Sequence, residues 1–142
     1  DLVPQALAAQ GVRQVFHKVD LKPGKPVWFG ASDETLVFGL PGNPVSTLVC
    51  FRLFVLPALL KMAGETSQLA CGAATAILTE SFQQRSPRET YFPAHCERES
   101  VTPIAWQGSA DLRSLAKANA LIRFPGGEHL YAPGESVEVI DL

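Results

Sequence analysis

The amino-acid sequence predicts an α/β unit followed by a small all-β unit, either a sandwich or a barrel. The first half alternates helix-forming and strand-forming segments. Residues 64–73 are small and polar, which is typical of a linker. Beyond them, short runs of strand-forming residues are separated by Pro, Gly and Ser. We therefore assign residues 1–66 to the first unit and residues 67–142 to the second, and we expect few contacts between the two.

The elements of the first unit follow from local chemistry. Residues 4–11 favour a short helix, because Pro suits a first turn and Gly suits the position after the last turn. Residues 12–19 are rich in β-branched side chains and predict a strand. The segment LKPGKP, residues 21–26, predicts a rigid loop. Two apolar runs, residues 27–31 and 35–40, predict buried strands on either side of a polar turn.

A long apolar helix closes this unit. Asn43 is a good N-cap residue and Pro44 a good first helical residue. The helix is expected to run to about Met62, with Gly64 as its stop and with a kink or break at Pro57. Because apolar residues occur on nearly all of its sides, we expect it to be deeply packed.

The second unit contains several short strand candidates and one short helix. The helix is predicted at residues 111–118. The strands are predicted within residues 74–82, 88–99, 101–106, 120–127 and 136–142.

Composition excludes some classes of partner and site. The net charge of −2 and the pI of about 5.9 provide no basic excess, so neither nucleic acid nor a membrane surface is an expected partner. The longest apolar stretch, residues 48–60, is interrupted by Arg52 and Pro57, and is judged too short and too broken to span a membrane. The three cysteines, Cys50, Cys71 and Cys96, are far apart and odd in number. Reduced thiols and a cytoplasmic location are therefore expected, without a disulfide framework or a zinc site.

The stretch FGLPGNPVS, residues 38–46, has two interpretations. A strand that ends in a Gly/Pro loop and opens into a helix can present backbone N–H groups to an anion. Ser46 could add a hydrogen bond, and the glycines could allow close approach of a ligand. The alternative is a well-capped helix after a tight turn, and the residues alone leave both open.

Three lysines lie close together in a second loop. Lys18, Lys22 and Lys25 fall within eight residues, around a Pro-Gly turn. The strands that end near residues 19 and 39 could deliver both loops to one edge of the sheet, where ligands bind in open α/β sheets. Lysines at that edge would provide positive charge for phosphate or another oxyanion, whereas the alternative is that they are solvated surface side chains.

These two motifs together resemble a known family. KVDLKPGKPVWFG followed by LVFGLPGNPVSTLVCF resembles the molybdopterin-binding domain of the molybdopterin molybdenumtransferases, the MoeA/gephyrin E-domain family. The segments RETYFPA, GSADLRSLAKANALIRFP and GESVEVI resemble the C-terminal β domain of that family. The resemblance implies a partial MogA-like α/β domain followed by a small β-barrel, similar to the C-terminal part of the enzyme.

The resemblance also implies a reaction and its ligands. Members of the family insert molybdate into adenylated molybdopterin and release AMP, assisted by a divalent metal usually written as magnesium. They work as homodimers whose sites are completed by the partner chain. Such a site must hold phosphate and a tetrahedral dianion together, a task that suits fixed N–H donors and lysines.

Candidate site residues are carried over from the matched motifs. Lys18 and Lys22 match the oxyanion and phosphate contacts, and Asp1 matches an acidic position that could ligate magnesium or orient water. The remaining positions are expected to bind substrate: Lys25, Pro41, Gly42, Asn43, Pro44, Ser46, Arg88 and Ser109.

The family's RxxFxR-like pattern appears here as Arg88, Tyr91 and Pro93, without its second basic residue. Trp28 and Trp106 are interpreted as core or interface residues rather than as platforms for a pterin ring. An alternative function is a non-catalytic ligand- or protein-binding module of the same fold.

Overall fold

The fold is described from a computed structural model, in which residues 2–65, 73–108 and 110–142 are placed. The helices are α1 Val3–Ala9, α2 Pro44–Cys50, α3 Leu56–Met62 and α4 Leu112–Lys117, with a π-helical turn at Phe51–Val55. The strands of the first half are β1 Arg13–His17, β2 Leu21–Lys22, β3 Trp28–Ala31 and β4 Leu36–Gly39. Those of the second half are β5 Ala73–Leu78, β6 Phe82–Gln84, β7 Glu89–Glu97, β8 Ser100–Pro103, β9 Ala120–Phe124, β10 His129–Tyr131 and β11 Ser136–Asp141.

Strands β1, β3 and β4 form an antiparallel sheet with β3 in the centre. His17, at the end of β1, pairs with Trp28, and Trp28 also pairs with Gly39 at the end of β4. The lysine loop, defined as residues 18–26, and the GLPGNP loop, residues 39–44, therefore leave the sheet at the same edge. This confirms the prediction that both loops are delivered to one edge of the sheet.

Five strands of the second half form a closed barrel. Their order is β7, β8, β5, β11 and β9, and pairing of β9 with β7 closes the circle. The interior is filled by buried apolar side chains that include Leu78, Ile122, Phe124 and Val139. Closure leaves no free edge among these five strands, which decides between the predicted sandwich and barrel in favour of the barrel.

The two halves pack closely, so the expectation of few contacts between them is wrong. Leu21 and Lys22, predicted to lie in a loop, form strand β2 and pair in parallel with Glu89 and Thr90 of β7. One buried apolar cluster contains Leu21, Val45 and Val49 from the first half and Tyr91, Leu121 and Ile140 from the second. The chain gains stability because these side chains leave water together. The boundary assigned at residues 66 and 67 lies at residues outside the described part, and it stays a prediction.

The helical run from Pro44 to Met62 continues through Pro57. The N–H of Leu56 bonds to the carbonyl of Phe51, five residues earlier, so a wider π turn comes directly before the proline. Proline lacks an N–H to continue the regular ladder, and the π turn precedes the place where that donor is missing. Of the kink or break predicted at Pro57, the break is not found, because the helical run continues, although its hydrogen-bond ladder is irregular directly before the proline. The predicted end near Met62 is confirmed.

This run is deeply packed only at its beginning. Val45 and Val49 are fully buried, whereas Leu59 and Met62 are 50% and 71% exposed. By length and composition alone, the 19 residues from Pro44 to Met62 could cross a membrane. Only the shorter apolar stretch, residues 48–60, was considered from the sequence, and it was judged too short. A core helix of a soluble protein passes the same test, so the observation is weak evidence for a membrane.

Candidate functional site

A cavity of about 460 Å³ lies where the lysine loop, the start of α2 and the barrel meet. Six of the residues predicted to bind substrate or act in catalysis line it: Lys22, Lys25, Pro41, Asn43, Ser46 and Arg88. The other lining residues are Pro23, Gly24, Pro26, Thr90, Phe92, Trp106 and Gly108. The cavity thus combines both motifs of the first half with one face of the barrel.

The lysine loop is held rigidly on both sides. The N–H of Val19 donates to the carbonyl of Lys25, and the N–H of Val27 donates to the carbonyl of Gly24. Gly24 has a φ of +116°, and an added Cβ would lie 2.6 Å from Sγ of Cys50. The loop therefore needs glycine at this position, both for its backbone conformation and for its close approach to α2.

Cys50 lies beneath this loop and does not line the cavity. Its Sγ is 3.5 Å from the carbonyl oxygen of Gly24, and burial raises the pKa of the thiol to about 11. A thiol that stays protonated at neutral pH is a poor nucleophile. Cys50 is therefore a packing residue.

The GLPGNP loop is tied to α2 through Thr47. The hydroxyl of Thr47 lies within hydrogen-bond distance of the carbonyl oxygens of Pro41 and Asn43. Asn43 has the extended backbone of an N-cap residue, but its side chain makes no capping hydrogen bond. The helix start was thus located correctly from the sequence, whereas a capping role for the Asn43 side chain was not confirmed.

Arg88 connects the barrel to the lysine loop. Its Nη1 donates to the carbonyl oxygen of Leu21 at 3.1 Å, and the residue lines the cavity opposite α2. Lys22, Lys25 and Arg88 contribute three cationic side chains, and the described lining residues include no carboxylate. The cavity is therefore suited to anions.

The barrel side of the cavity is aromatic. The rings of Phe92 and Trp106 meet edge to face, with centroids 5.3 Å apart. Nε1 of Trp106 is buried and has no hydrogen-bond partner among the residues that the structure describes. Trp28, in contrast, is 5% exposed and donates from Nε1 to Oε1 of Gln14 at 2.8 Å, which confirms it as a core residue.

A second cavity of about 350 Å³ lies behind Pro26 and Pro41, which line both cavities. It contains Gly42 and His17 and is otherwise largely apolar. Gly42 does not have a left-handed backbone, and an added Cβ would meet no atom of the described residues within 4 Å. The backbone conformation that requires glycine is thus found at Gly24 and not at Gly42.

The remaining predicted residues are placed differently. Lys18 is exposed, has a φ of 68°, and lines neither cavity. Pro44 is the first residue of α2 and also lies outside both linings. Asp1 and Ser109 lie outside the described residues. The ligand roles of all four stay predictions.

Among residues 2–65, 73–108 and 110–142, no group of three or more His, Cys, Asp and Glu side chains is placed to hold a metal ion. The cationic lining of the main cavity is also unsuited to a bare Mg²⁺, which prefers oxygen ligands such as carboxylates. The described residues thus do not fit the magnesium that the resemblance implies.

Sequence reasoning missed Gly24, Thr90, Phe92, Trp106 and Gly108 as lining residues. Gly24 carried a signal, since it lies inside the lysine motif. Thr90 and Phe92 lie on β7, and strand patterning does not say which face of the barrel meets the first half. Trp106 and Gly108 lie in the irregular segment after β8.

Comparison with known proteins accounts for both halves of the chain. Residues 1–61 match a family model described as a probable molybdopterin binding domain, and residues 75–142 match one described as the MoeA C-terminal region, domain IV. The chain belongs to the MoeA family. It corresponds to the C-terminal portion of that family, as a partial molybdopterin-binding α/β region followed by a five-stranded barrel.

The relatives include a molybdopterin molybdenumtransferase of Bacillus subtilis and another of Synechococcus elongatus. The first is 33% identical over 99% of this chain and 33% of its own length, and the second is 33% identical over 100% of this chain and 35% of its own. A crystal structure of a molybdopterin biosynthesis MoeA protein from Pyrococcus horikoshii is 29% identical, with a TM-score of 0.78 over 96% of this chain and 34% of that one. The chain thus spans about a third of the length of these relatives.

Proposed function

We propose that the chain forms part of a molybdopterin molybdenumtransferase that inserts molybdate into adenylated molybdopterin and releases AMP. The observation that carries this proposal is the cavity in which Lys22, Lys25 and Arg88 face a space without a lining carboxylate among the described residues. The ligands of the proposed reaction, a phosphate ester and a tetrahedral oxyanion, are both negatively charged, which is opposite to the charge of these three side chains. The names of the B. subtilis and S. elongatus relatives support the same activity.

In this proposal the described residues bind and orient the ligands. Lys22 and Lys25 donate to phosphate or molybdate oxygens from a rigid loop, which lowers the entropy lost on binding. Arg88 adds positive charge from the barrel side, and the hydroxyl of Ser46 is available as a further donor. Phe92 and Trp106 offer an apolar wall to a flat ring.

Several parts of this function depend on groups outside the described cavity. A magnesium ion would need Asp1 or ligands from beyond this chain, because the described lining residues are cationic or neutral. We further propose that the protein acts as a homodimer in the cytoplasm, as the family resemblance implies.

The proposal is tested by calorimetric titration of the full-length protein with molybdate and, separately, with AMP. Lys22→Ala should weaken binding by roughly one to two orders of magnitude, because a lost charge-assisted hydrogen bond costs about 1.5–3 kcal/mol. Lys61→Ala is the matched control, since Lys61 is exposed near the far end of the helical run and lines neither cavity. Unchanged affinity in folded Lys22→Ala would reject the cavity as the anion site. Binding of both ligands without release of AMP when adenylated molybdopterin and molybdate are supplied together would instead favour the non-catalytic module.

A further inference from the structure

We propose that Gln84 is a positioning residue that fixes Arg88 and Lys22 at the cavity through a buried polar network, without touching the ligand itself. This inference rests on the proposed function, because it assigns a role within the same anion site. Gln84 is the last residue of β6 and is 3% exposed. It does not line the cavity.

Both polar ends of the Gln84 side chain are used. Nε2 donates to Oγ1 of Thr90 at 2.9 Å and to the carbonyl oxygen of Pro125 at 3.2 Å. Oε1 accepts from the N–H groups of Arg85 and Ser86 at 3.2 and 3.4 Å. A single buried amide thus holds the segment that leads into Arg88, and a buried amide without these partners would be unfavourable.

The network continues to the backbone of Arg88 from both sides. The N–H of Arg88 donates to Oγ of Ser86 at 3.2 Å, and Oγ1 of Thr90 donates to the carbonyl oxygen of Arg88 at 3.2 Å. Gly126 packs directly against this segment, since a Cβ added to Gly126 would be 2.3 Å from the carbonyl oxygen of Pro87. The position of the Arg88 backbone is therefore fixed by side chains that Gln84 orders.

Thr90 also links Gln84 to the lysine loop. Thr90 pairs with Lys22 where β2 joins β7, and the Arg88 guanidinium donates to the carbonyl of Leu21 one residue earlier. The cationic side chains of Lys22 and Arg88 thus extend from two backbone segments that both contact Thr90. Displacing this region by a fraction of an ångström would move both charges relative to a bound anion.

The test compares Gln84→Met with Gln83→Met in the full-length protein, using molybdate titration by calorimetry. Gln83 is the matched control: it is the same residue type on the same strand, it also donates from Nε2 to two carbonyl oxygens, and it is exposed. Each variant is measured at a temperature where circular dichroism shows it fully folded. We expect Gln84→Met to lower molybdate affinity roughly tenfold, as for one lost charge-assisted hydrogen bond, and Gln83→Met to leave it unchanged.

A double-mutant cycle with Arg88→Met distinguishes positioning from general destabilisation. If Gln84 acts through Arg88 as well as Lys22, the effect of Gln84→Met on affinity should be clearly smaller in the Arg88→Met background, because the share that acts through Arg88 is then lost. An equal effect in both backgrounds, or no effect of Gln84→Met while Arg88→Met weakens binding, would overturn the positioning role alone. If Arg88→Met itself leaves affinity unchanged, the proposed anion site fails and this inference fails with it. Should Gln84→Met not fold, Ser86→Ala removes the acceptor for the Arg88 N–H and is subject to the same cycle and the same outcomes.

Discussion

The guanidinium of Arg88, on the barrel, donates to the carbonyl oxygen of Leu21, in the lysine loop. The same Leu21 is 4% exposed and belongs to the apolar cluster that both halves share. The contact therefore joins a polar cavity wall to a hydrophobic interface. It places the candidate site within the packing between the two halves, so that site geometry depends on their docking.

Cleavage between the halves should not separate them. We expect that a protease site inserted within residues 66–72 can be cut while the two pieces continue to elute together in gel filtration. The reason is the shared apolar cluster, supported by the β2–β7 pairing and by the hydrogen bond from Nε of Arg52 to the carbonyl of Asp141. Elution of two separate folded fragments under native conditions would contradict this interface.

The barrel contains an ion-pair network that should make its stability depend on pH. Arg123 contacts Glu89 and Glu138 at 2.7 Å each, and Tyr91 donates to Glu89 at 2.6 Å. The hydrogen bond from Arg123 lowers the pKa of the Glu89 carboxyl below its ordinary value. A lowered pKa in the folded state stabilises the fold above the ordinary value, and this stabilisation is lost as the pH falls through the folded-state pKa.

We therefore expect Arg123→Met to lower the free energy of unfolding at pH 7 by about 1 kcal/mol, a modest value because these side chains are about one-third exposed. The difference from the unmodified protein should shrink as the pH falls below about 4. Thermal melts from pH 7 to pH 3 test this, with the exposed Arg113→Met as control. A difference in melting temperature that stays constant across this range would argue against an electrostatic origin.

Much of the fold was predictable because local chemistry and tertiary packing agree. The strand before Lys18, the two strands around residues 32–34 and the start of the long helix at Pro44 all appear where the sequence placed them. A kink or break was expected at Pro57, and the helical run instead continues through a π turn that precedes the proline. The strand at Leu21 and Lys22 was missed because two residues of pairing to a distant strand leave no local pattern.

The candidate site was predictable in its loops and at Arg88, but not in the aromatic part of its barrel wall. Lys22, Lys25 and Pro41 lie in motifs that are unusual by themselves, so they could be singled out. Trp106 was assigned to the core or to an interface because nothing in its neighbourhood says that one face meets a cavity. Gln84 could not have been found, since its role depends on partners that are brought together only by barrel closure.

Cys50 should resist alkylation in the native state. Burial raises the pKa of its thiol to about 11, and the thiolate is the reactive form. Iodoacetamide at pH 8 should therefore modify Cys50 far more slowly than the half-buried Cys96, as measured by peptide mass spectrometry over time. Unfolding in guanidinium chloride should remove the difference. Equal rates in the native protein would show that α2 opens readily beneath the lysine loop.

The final prediction separates two glycines that look alike in the sequence. Gly24 has a φ of +116°, and an added Cβ would lie 2.6 Å from Sγ of Cys50 and 2.8 Å from Cδ1 of Leu21. Gly42 does not have a left-handed backbone, and among the placed residues no atom lies within 4 Å of an added Cβ. Gly24→Ala should therefore lower the free energy of unfolding by about 2–5 kcal/mol, whereas Gly42→Ala should leave it within about 0.5 kcal/mol. Adding Cys50→Ala to Gly24→Ala should recover part of the loss, because it removes one clash and leaves the backbone strain. Denaturant unfolding of the three variants and of Cys50→Ala alone decides the matter, and equal stability of the two single glycine variants would refute the structural role given to the lysine loop.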